Sequence, residues 1–216
     1  MTDTDAAVRL ESITKRFPGV VANDEVDLTV ERGTVHALLG ENGAGKTTLM
    51  NVLYGLYQPT AGRIVVDGQE QTFDSPRAAI DAGVGMIHQH FMLVDTMTVA
   101  ENIALGNEPR KFGGLAVDHD AARREVAELS ERYGFDVDPD QRVEDVSVGV
   151  QQRVEILKAL YRGAEVLILD EPTAVLTPQE VEDLFAVLEE LTDQGKTIIF
   201  ITHKLGEAMH AADDIT

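Results

Sequence analysis

The chain has 216 residues, 38 acidic against 18 basic side chains, a formal net charge of −20 and no cysteine. A chain of this length can fold as one domain without cross-links such as disulfides or structural metals. The lack of cysteine excludes a disulfide scaffold, a thiolate metal site and a cysteine nucleophile. The acidic surplus repels phosphate backbones and anionic lipid at long range, which argues against a nucleic-acid partner or a lipid-binding surface.

Residues 1–90 alternate between short apolar runs and turn residues, as an α/β domain does. The pattern predicts strands at residues 8–13, 25–30, 35–39, 63–67 and 84–88, a helix over 46–56, and a second helix that begins at Pro76 with Ser75 as its N-cap. The first strands alternate between polar and apolar residues, and we expect them to form an antiparallel, half-buried portion. The run at 35–39 is apolar throughout and is expected to be buried.

The middle of the chain changes to helical spacing. Apolar residues at helical intervals predict helices over 99–105 and 119–133. We interpret residues 91–160 as a helical lobe inserted into an α/β core of residues 1–90 and 161–216, the whole forming a single domain.

The core then resumes with buried strands at 166–169 and 197–202 and a helix over 178–192. Because buried strands alternate with helices, the fold class is predicted to be α/β with a mainly parallel sheet and helices on both faces. No apolar run approaches the ~20 residues of a membrane span, and residues 1–5 are acidic with no apolar signal region. We therefore expect a cytoplasmic protein that is still able to bind a membrane protein.

A phosphate-loop pattern occupies residues 40–47, Gly-Glu-Asn-Gly-Ala-Gly-Lys-Thr. Its glycines let consecutive N–H groups turn toward phosphate oxygens, and the helix that follows points its positive end at the same anion. Lys46 adds a point charge on the β- and γ-phosphates, and the Thr47 hydroxyl is a hard ligand for Mg²⁺. The predicted contacts with ATP here come from Gly40, Asn42, Gly43, Ala44, Gly45, Lys46, Thr47 and Thr48.

Two carboxylates, Asp170 and Glu171, follow the apolar strand at 166–169. Open parallel sheets bind ligands at this end of their strands. Asp170 is suited to hold Mg²⁺ through its water shell, and Glu171 to accept a proton from the water that attacks the γ-phosphate. A lone strand end with two acids would more often be ordinary surface, but its pairing with the phosphate loop favours a site.

With these motifs in this order, the chain resembles the nucleotide-binding domain of an ATP-binding cassette (ABC) transporter over essentially its whole length, a P-loop NTPase core. The resemblance gives three further residues a function. Gln89 matches the glutamine that touches magnesium and senses the γ-phosphate, His203 matches the switch histidine that hydrogen-bonds the γ-phosphate, and Phe17 matches the aromatic residue on which adenine stacks.

Residues 146–153 resemble the signature region of that family. Ser147 and Gly149 match the hydroxyl and the backbone N–H that contact the γ-phosphate. Val148 and Val150 replace a glycine and a glutamine, a variant that resembles the ATPases of monosaccharide and nucleoside importers. A second departure is Thr177, which stands where the family has an aspartate in the loop that couples the two sites of a dimer.

The resemblance implies a Mg²⁺-dependent ATPase that energises import of a sugar or nucleoside. Its catalytic residues would be Glu171, His203 and Gln89, and its metal ligands Thr47, Gln89 and Asp170. Two such domains would pack head to tail around ATP and act on transmembrane permease subunits at the inner face of the membrane, and indirectly on a substrate-binding protein. Importers of this kind often carry both domains in one polypeptide, and residues 213–216 fall where the family begins another strand, so we expect the N-terminal domain of a tandem protein.

Two alternatives to transport stay open. A soluble ABC ATPase acting on ribosomes or DNA would need basic surface, which the charge of −20 disfavours. A regulatory nucleotide binder would not need Glu171 and His203. A metal site is a third idea, since His88 and His90 would share a face if they lay on a strand, but no third ligand is evident, and we interpret both as structural or as neighbours of the transporter contact.

The acidic surplus matches no motif apart from Asp170 and Glu171. It is either a surface tuned for solubility or an adaptation to a salt-rich cytoplasm, where screening relieves the repulsion. Because the other acids are spread along the whole chain, we favour the salt-adapted, halophilic surface.

Overall fold

The structure, a computed structural model, describes residues 6–111 and 116–216. Its strands are β1 Ala6–Phe17, β2 Val20–Glu31, β3 Val35–Leu39, β4 Ala61–Val66, β5 Gln69–Gln71, β6 Val84–Ile87, β7 Arg110–Lys111, β8 Ala116–Val117, β9 Val166–Asp170, β10 Thr197–Thr202 and β11 Asp214–Ile215. Its helices are α1 Lys46–Leu53, α2 Pro76–Asp81, α3 Val99–Ala104, α4 His119–Arg132, α5 Val148–Tyr161, α6 Pro178–Asp193 and α7 Leu205–Ala211.

Parallel strands form the centre of the fold, in the order β11-β3-β10-β9-β6. Successive residues of β10 serve opposite faces of this sheet. Ile198 and Phe200 lie in a cluster with apolar residues of α3 to α7, whereas Ile199 and Ile201 lie in a second cluster with residues of α1 and α2. The predicted parallel sheet with helices on both faces is therefore confirmed.

A second sheet, antiparallel and in the order β2-β1-β4-β5, covers the α1 side of the parallel sheet. The two predicted N-terminal strands pair with each other, with Val8 opposite Val30 and Leu10 opposite Leu28. Both are longer than predicted, at 12 residues each. The antiparallel N-terminal portion of the α/β fold is thus also confirmed.

The segment between β6 and β9 is mainly helical. Ile103 of α3, Val126 of α4 and Leu157 of α5 lie buried in the first cluster. Side-chain caps fix the helix starts: Thr98 and Glu101 form a reciprocal capping box on α3, and Asp118 caps α4. These contacts explain why the two predicted helices begin at residues 99 and 119.

Several boundaries differ from the sequence prediction. Helix α1 ends at Leu53 and not at residue 56, because Gly55 turns the chain at φ +77° and packs so closely that a Cβ there would lie 2.6 Å from the Ser75 carbonyl oxygen. The strand predicted over 84–88 ends at Ile87, which leaves His88 outside it. Helix α5 was not predicted as a separate helix. Its buried face includes the polar residues Gln152, Glu155 and Lys158, which interrupt the apolar spacing on which the prediction relied.

Among the described helices, none combines the length and hydropathy needed to cross a bilayer. Residues 1–5, on which the argument about a signal region rests, lie outside the described part of the chain.

Candidate functional site

A cleft of about 440 Å³ opens at the carboxyl ends of the parallel strands. Its wall is formed by the loop between β3 and α1, by the start of β2, and by single residues that follow β6 and β9. The predicted site residues on this wall are Asn42, Gly43, Ala44, Gly45, Lys46, Thr47, Thr48, Gln89 and Glu171. Gln89 is exposed there, two residues beyond the end of β6.

Gly45 determines the shape of the loop. It has φ +93° and immediately precedes α1, and a Cβ at this position would lie 2.4 Å from the Ala22 carbonyl oxygen of β2. No side chain caps the helix, so its first N–H groups stay available to an anion. Asn23 supports the same turn by donating to the Gly45 carbonyl oxygen at 3.2 Å.

Lys46 closes the loop from inside. Its ammonium donates to the carbonyl oxygens of Gly40 at 2.6 Å and Glu41 at 3.0 Å, which connects Gly40 to the cleft although Gly40 is not on its wall. Lys46 is 9% exposed. Because an ammonium has three donors, these two bonds leave one for a phosphate oxygen.

Thr47 lies on the cleft wall and connects it to Asp170, the last residue of β9. The Thr47 hydroxyl donates to Asp170 Oδ1 at 3.3 Å. Asp170 is buried, and burial raises the pKa of its carboxyl above the ordinary value. The Thr47 hydrogen bond opposes this rise but is the smaller of the two effects. A hydroxyl beside a buried carboxylate is a pair of hard oxygen donors, and this donor set fits Mg²⁺.

Glu171 and His203 meet at the same edge. Glu171 has φ +48°, in the left-handed region that a residue with a side chain seldom adopts. Its Oε1 lies 3.2 Å from His203 Nδ1. In this arrangement Nδ1 can donate to the carboxylate, which leaves Nε2 for another partner.

Phe17 is not on the cleft wall itself, although it pairs across the hairpin with Val20, which is. Its ring packs edge-on against Tyr57 at 5.3 Å between centroids, and the Lys15 ammonium lies 5.0 Å from the Phe17 centroid. From the same hairpin, Val20 and Val21 line the cleft instead. These two valines were not among the predicted site residues.

The signature residues also lie away from the cleft wall of their own chain. Ser147 caps α5, and the Gly149 N–H donates to Glu180 Oε1 at 3.0 Å. The other oxygen of Glu180 accepts from the Thr177 N–H and hydroxyl at 2.9 and 2.8 Å. The Thr177 donors, with the Gly149 N–H, hold the pKa of Glu180 below its ordinary value. In place of the expected aspartate, Thr177 thus caps α6 and holds the carboxylate that binds the signature.

The proposed strand geometry of His88 and His90 is wrong, because β6 ends at Ile87. His88 packs edge-on against Tyr54 with centroids 5.9 Å apart. Within residues 6–111 and 116–216, no group of three or more His, Asp or Glu side chains is arranged to hold a metal ion. The interpretation of His88 as structural fits its contact.

Comparison with known families agrees with this geometry. The model of the ABC transporter family matches residues 23–174, which include the loop, Asp170 and Glu171. The chain belongs to the ABC transporter family.

This member of the ABC family is similar in sequence to proteins named as import ATP-binding proteins. It is 55% identical over 212 residues to the nucleoside import ATP-binding protein NupA of Lactococcus lactis, covering 98% of this chain and 42% of that protein. It is 52% identical to the glucose import ATP-binding protein TsgD13 of Haloferax volcanii, covering 97% of this chain and 43% of that protein. The chain therefore spans less than half the length of these relatives.

Solved ABC cassettes share the fold. A nucleotide-free ATP-binding cassette from an ABC transporter superposes with a TM-score of 0.85 at 26% identity, covering 97% of this chain and 86% of that chain. An ABC transporter cassette in its ADP conformation gives 0.84 at 27% identity, with the same coverage. The arrangement of the two sheets and the helices is thus that of an ABC cassette.

Substitution of Gly45 by alanine is predicted to cost more stability than substitution of Gly195. Both residues have a positive φ, which costs about 1–2 kcal/mol for a residue with a Cβ, but only Gly45 also has a backbone oxygen 2.4 Å from the added atom, whereas Gly195 faces open space. Urea unfolding of Gly45→Ala and Gly195→Ala measures the difference. Equal losses would show that the close approach to Ala22 is unimportant.

Proposed function

We propose that the chain binds ATP with Mg²⁺, hydrolyses it, and uses the cycle to energise import of a small solute, a sugar or a nucleoside. The observation that carries this proposal is the meeting of three groups at one sheet edge: the loop with Lys46, the Thr47–Asp170 pair, and the Glu171–His203 pair. The names of the relatives supply the solute class, since they import nucleosides or glucose.

The triphosphate is held by the loop and the start of α1. The N–H groups at residues 42–48 and the positive end of the helix attract the β- and γ-phosphates, and Lys46 supplies the third donor of its ammonium. We assign the adenine to the side of the cleft that carries Val20 and Val21, close to the hairpin end at Phe17. The aromatic role of Phe17 itself remains our expectation from its family resemblance.

Thr47 and Asp170, with Gln89 on the cleft wall, are the residues that would hold Mg²⁺. The ion would neutralise charge on the β- and γ-phosphate oxygens. Asp170 and Thr47 keep this position fixed because both belong to rigid elements, the end of β9 and the first turn of α1.

Glu171 acts as the general base. It takes a proton from a water molecule whose oxygen attacks the γ-phosphorus, and the bond to the bridging oxygen of ADP breaks. His203 orients the Glu171 carboxylate through Nδ1 and leaves Nε2 for the γ-phosphate. The products are ADP and inorganic phosphate.

The signature needs a second cassette. Ser147 and Gly149 lie off the cleft wall of their own chain, so we propose that they complete the site of a partner domain packed head to tail. That domain is either another part of the same polypeptide or a second copy. Residues 91–160 would move as a lobe and transmit the change to permease subunits, which in turn receive solute from a substrate-binding protein. These assemblies would place the chain at the inner face of the membrane.

The test of this function is transport itself. Full-length protein with its permeases, reconstituted in vesicles, should hydrolyse ATP only with Mg²⁺ and take up a labelled nucleoside or sugar in an ATP-dependent way. If the ATPase activity were the same with and without the permeases, and neither a nucleoside nor a sugar were taken up, the protein would be a regulatory or soluble ABC protein instead.

Glu171→Gln is predicted to lower ATP turnover by about 10²–10⁴-fold, the usual cost of losing a positioned general base. ATP affinity should be retained, so the ATP-bound dimer should live longer. Turnover is measured by phosphate release and dimer lifetime by size-exclusion chromatography, with Glu70→Gln on exposed β5 as the control. Wild-type turnover by Glu171→Gln would contradict the assignment.

Lys46→Ala is predicted to weaken ATP binding by about ten- to hundredfold, because a charge-assisted hydrogen bond contributes about 1.5–3 kcal/mol. Lys196→Ala is the matched control, since Lys196 is also 9% exposed but pairs with Glu165. Calorimetric titration with ATP should show a loss only for Lys46→Ala. Equal affinities for the two variants would oppose the proposed contact.

We also propose that the acidic surface is adapted to salt. Raising KCl from about 0.1 M to about 3 M should raise the melting temperature, because screening relieves the repulsion within a chain of net charge −20. Replacing exposed acids of α4, such as Glu125 and Glu128, by Gln should reduce that salt dependence. A melting temperature independent of KCl would favour a surface tuned for solubility alone.

A further inference from the structure

Two segments at the ends of neighbouring strands carry the Glu171–His203 pair. One follows β9 and contains Glu171 and Thr173, and the other comprises the last two residues of β10, Ile201 and Thr202, and the loop after them with His203. The backbone joins them by one bond at this point, from the Glu171 N–H to the Ile201 carbonyl oxygen at 3.1 Å. That bond fixes the start of the first segment but not the rest of it.

Glu207, in the first turn of α7, connects the two segments through its side chain. Its Oε2 accepts hydrogen bonds from the hydroxyls of Thr173 at 2.7 Å and Thr202 at 3.1 Å. Its Oε1 accepts from the Lys204 ammonium at 2.8 Å. Both oxygens of the carboxylate are therefore used, and Oε2 alone joins a threonine of one segment to a threonine of the other.

This network is buried at its centre. Thr173 is 4% exposed and Thr202 is 2% exposed, and the Glu207 side chain is 14% exposed. The Thr202 hydroxyl donates to Glu207 and accepts from the Lys204 N–H at 3.0 Å, so its proton has a fixed direction. Because buried hydrogen bonds to a charge are short and strong, the three partners hold one geometry.

The positions of the two threonines give the network its consequence. Thr202 directly precedes His203, and Thr173 lies two residues after Glu171. Glu171 itself has the strained φ of +48°, which persists only where surrounding contacts hold it. Contacts that hold both segments at once also hold the distance between Glu171 and His203.

We propose that Glu207 is a positioning residue for ATP hydrolysis: by binding Thr173 and Thr202 together, it keeps Glu171 and His203 in register. This inference rests on the function proposed above. Glu207 does not touch the nucleotide, and its effect reaches the reaction only through the two segments. A misplacement of a reacting group by about 1 Å can cost 10²-fold in rate.

The test uses the full-length protein with its permeases and measures kcat, KM for ATP and the melting temperature for each variant. Glu207→Gln keeps the shape of the side chain but loses its charge and one acceptor oxygen. Its kcat should fall by about tenfold or more, with KM for ATP unchanged, since the phosphate loop is untouched. Thr173→Val should lower kcat in the same direction, and Thr173→Ser, which keeps the hydroxyl, should restore turnover.

Thr197→Val is the matched control for stability. Thr197 is a buried threonine of the same strand, β10, whose Oγ1 accepts from the Gly33 N–H at 3.0 Å at the end remote from the site. It should lower the melting temperature without lowering kcat. The double variant Thr173→Val with Glu207→Gln should lose less kcat than the two single losses combined, because both changes remove the Thr173–Glu207 hydrogen bond.

Three results would overturn the inference: an unchanged kcat in Glu207→Gln, a fall in kcat that Thr197→Val matches at equal loss of melting temperature, or a raised KM with kcat intact. Failure of the proposed function looks different. If the proposed function failed, the wild-type protein itself would show no Mg²⁺-dependent hydrolysis. If only the Glu207 inference failed, the wild type would hydrolyse ATP, Glu171→Gln would be inactive, and Glu207→Gln would behave as the wild type.

Discussion

The parallel register of β3, β10 and β9 is the constraint on which the site depends. Leu39 lies opposite Thr202, and Ile201 lies opposite Asp170, so the three strands end at nearly the same level. Each strand is followed at once by part of the site: the phosphate loop, His203 or Glu171. Residues far apart in the chain meet because hydrogen-bonded parallel strands end together, as open α/β sheets require of ligand sites.

Burial on both faces keeps that register in place. Each central strand alternates its side chains between two apolar clusters, one under α3 to α7 and one under α1, α2 and the antiparallel sheet. A shift of one residue in the pairing of a strand would move each of its side chains to the opposite face, so that the packing of both apolar clusters would be disrupted. The antiparallel sheet contributes more than cover, since the Ala22 carbonyl of β2 approaches Gly45 closely and so makes glycine necessary at the start of α1.

The strong negative charge of the chain is compatible with binding an anion because the attraction is local. Backbone N–H groups, a helix end and Lys46 act within a few ångströms of the phosphates, whereas charges farther than about 8–10 Å are screened at moderate salt. A local contact of the same kind involves an anion of the protein itself. The Glu180 carboxylate accepts a hydrogen bond from the Gly149 N–H, the group that the family resemblance assigns to a phosphate. The acids elsewhere bear on stability and solubility and leave the chemistry of the cleft to its own few groups.

The sequence by itself determined the α/β class, the central strands, the phosphate loop and the two acids at the end of β9, because each follows from a local pattern of apolar runs, glycines and charges. It did not give the end of α1 at Leu53, the end of β6 before His88, or the placement of Phe17 against Tyr57. Nor did it reveal the contacts of Glu180 with Gly149 and of Glu207 with Thr173 and Thr202. The Glu180–Gly149 and Glu207–Thr173 contacts join residues 31 and 34 positions apart, and the Glu207–Thr202 contact depends on how α7 folds back on the end of β10. Only the tertiary structure decides which of many polar residues come within hydrogen-bond distance.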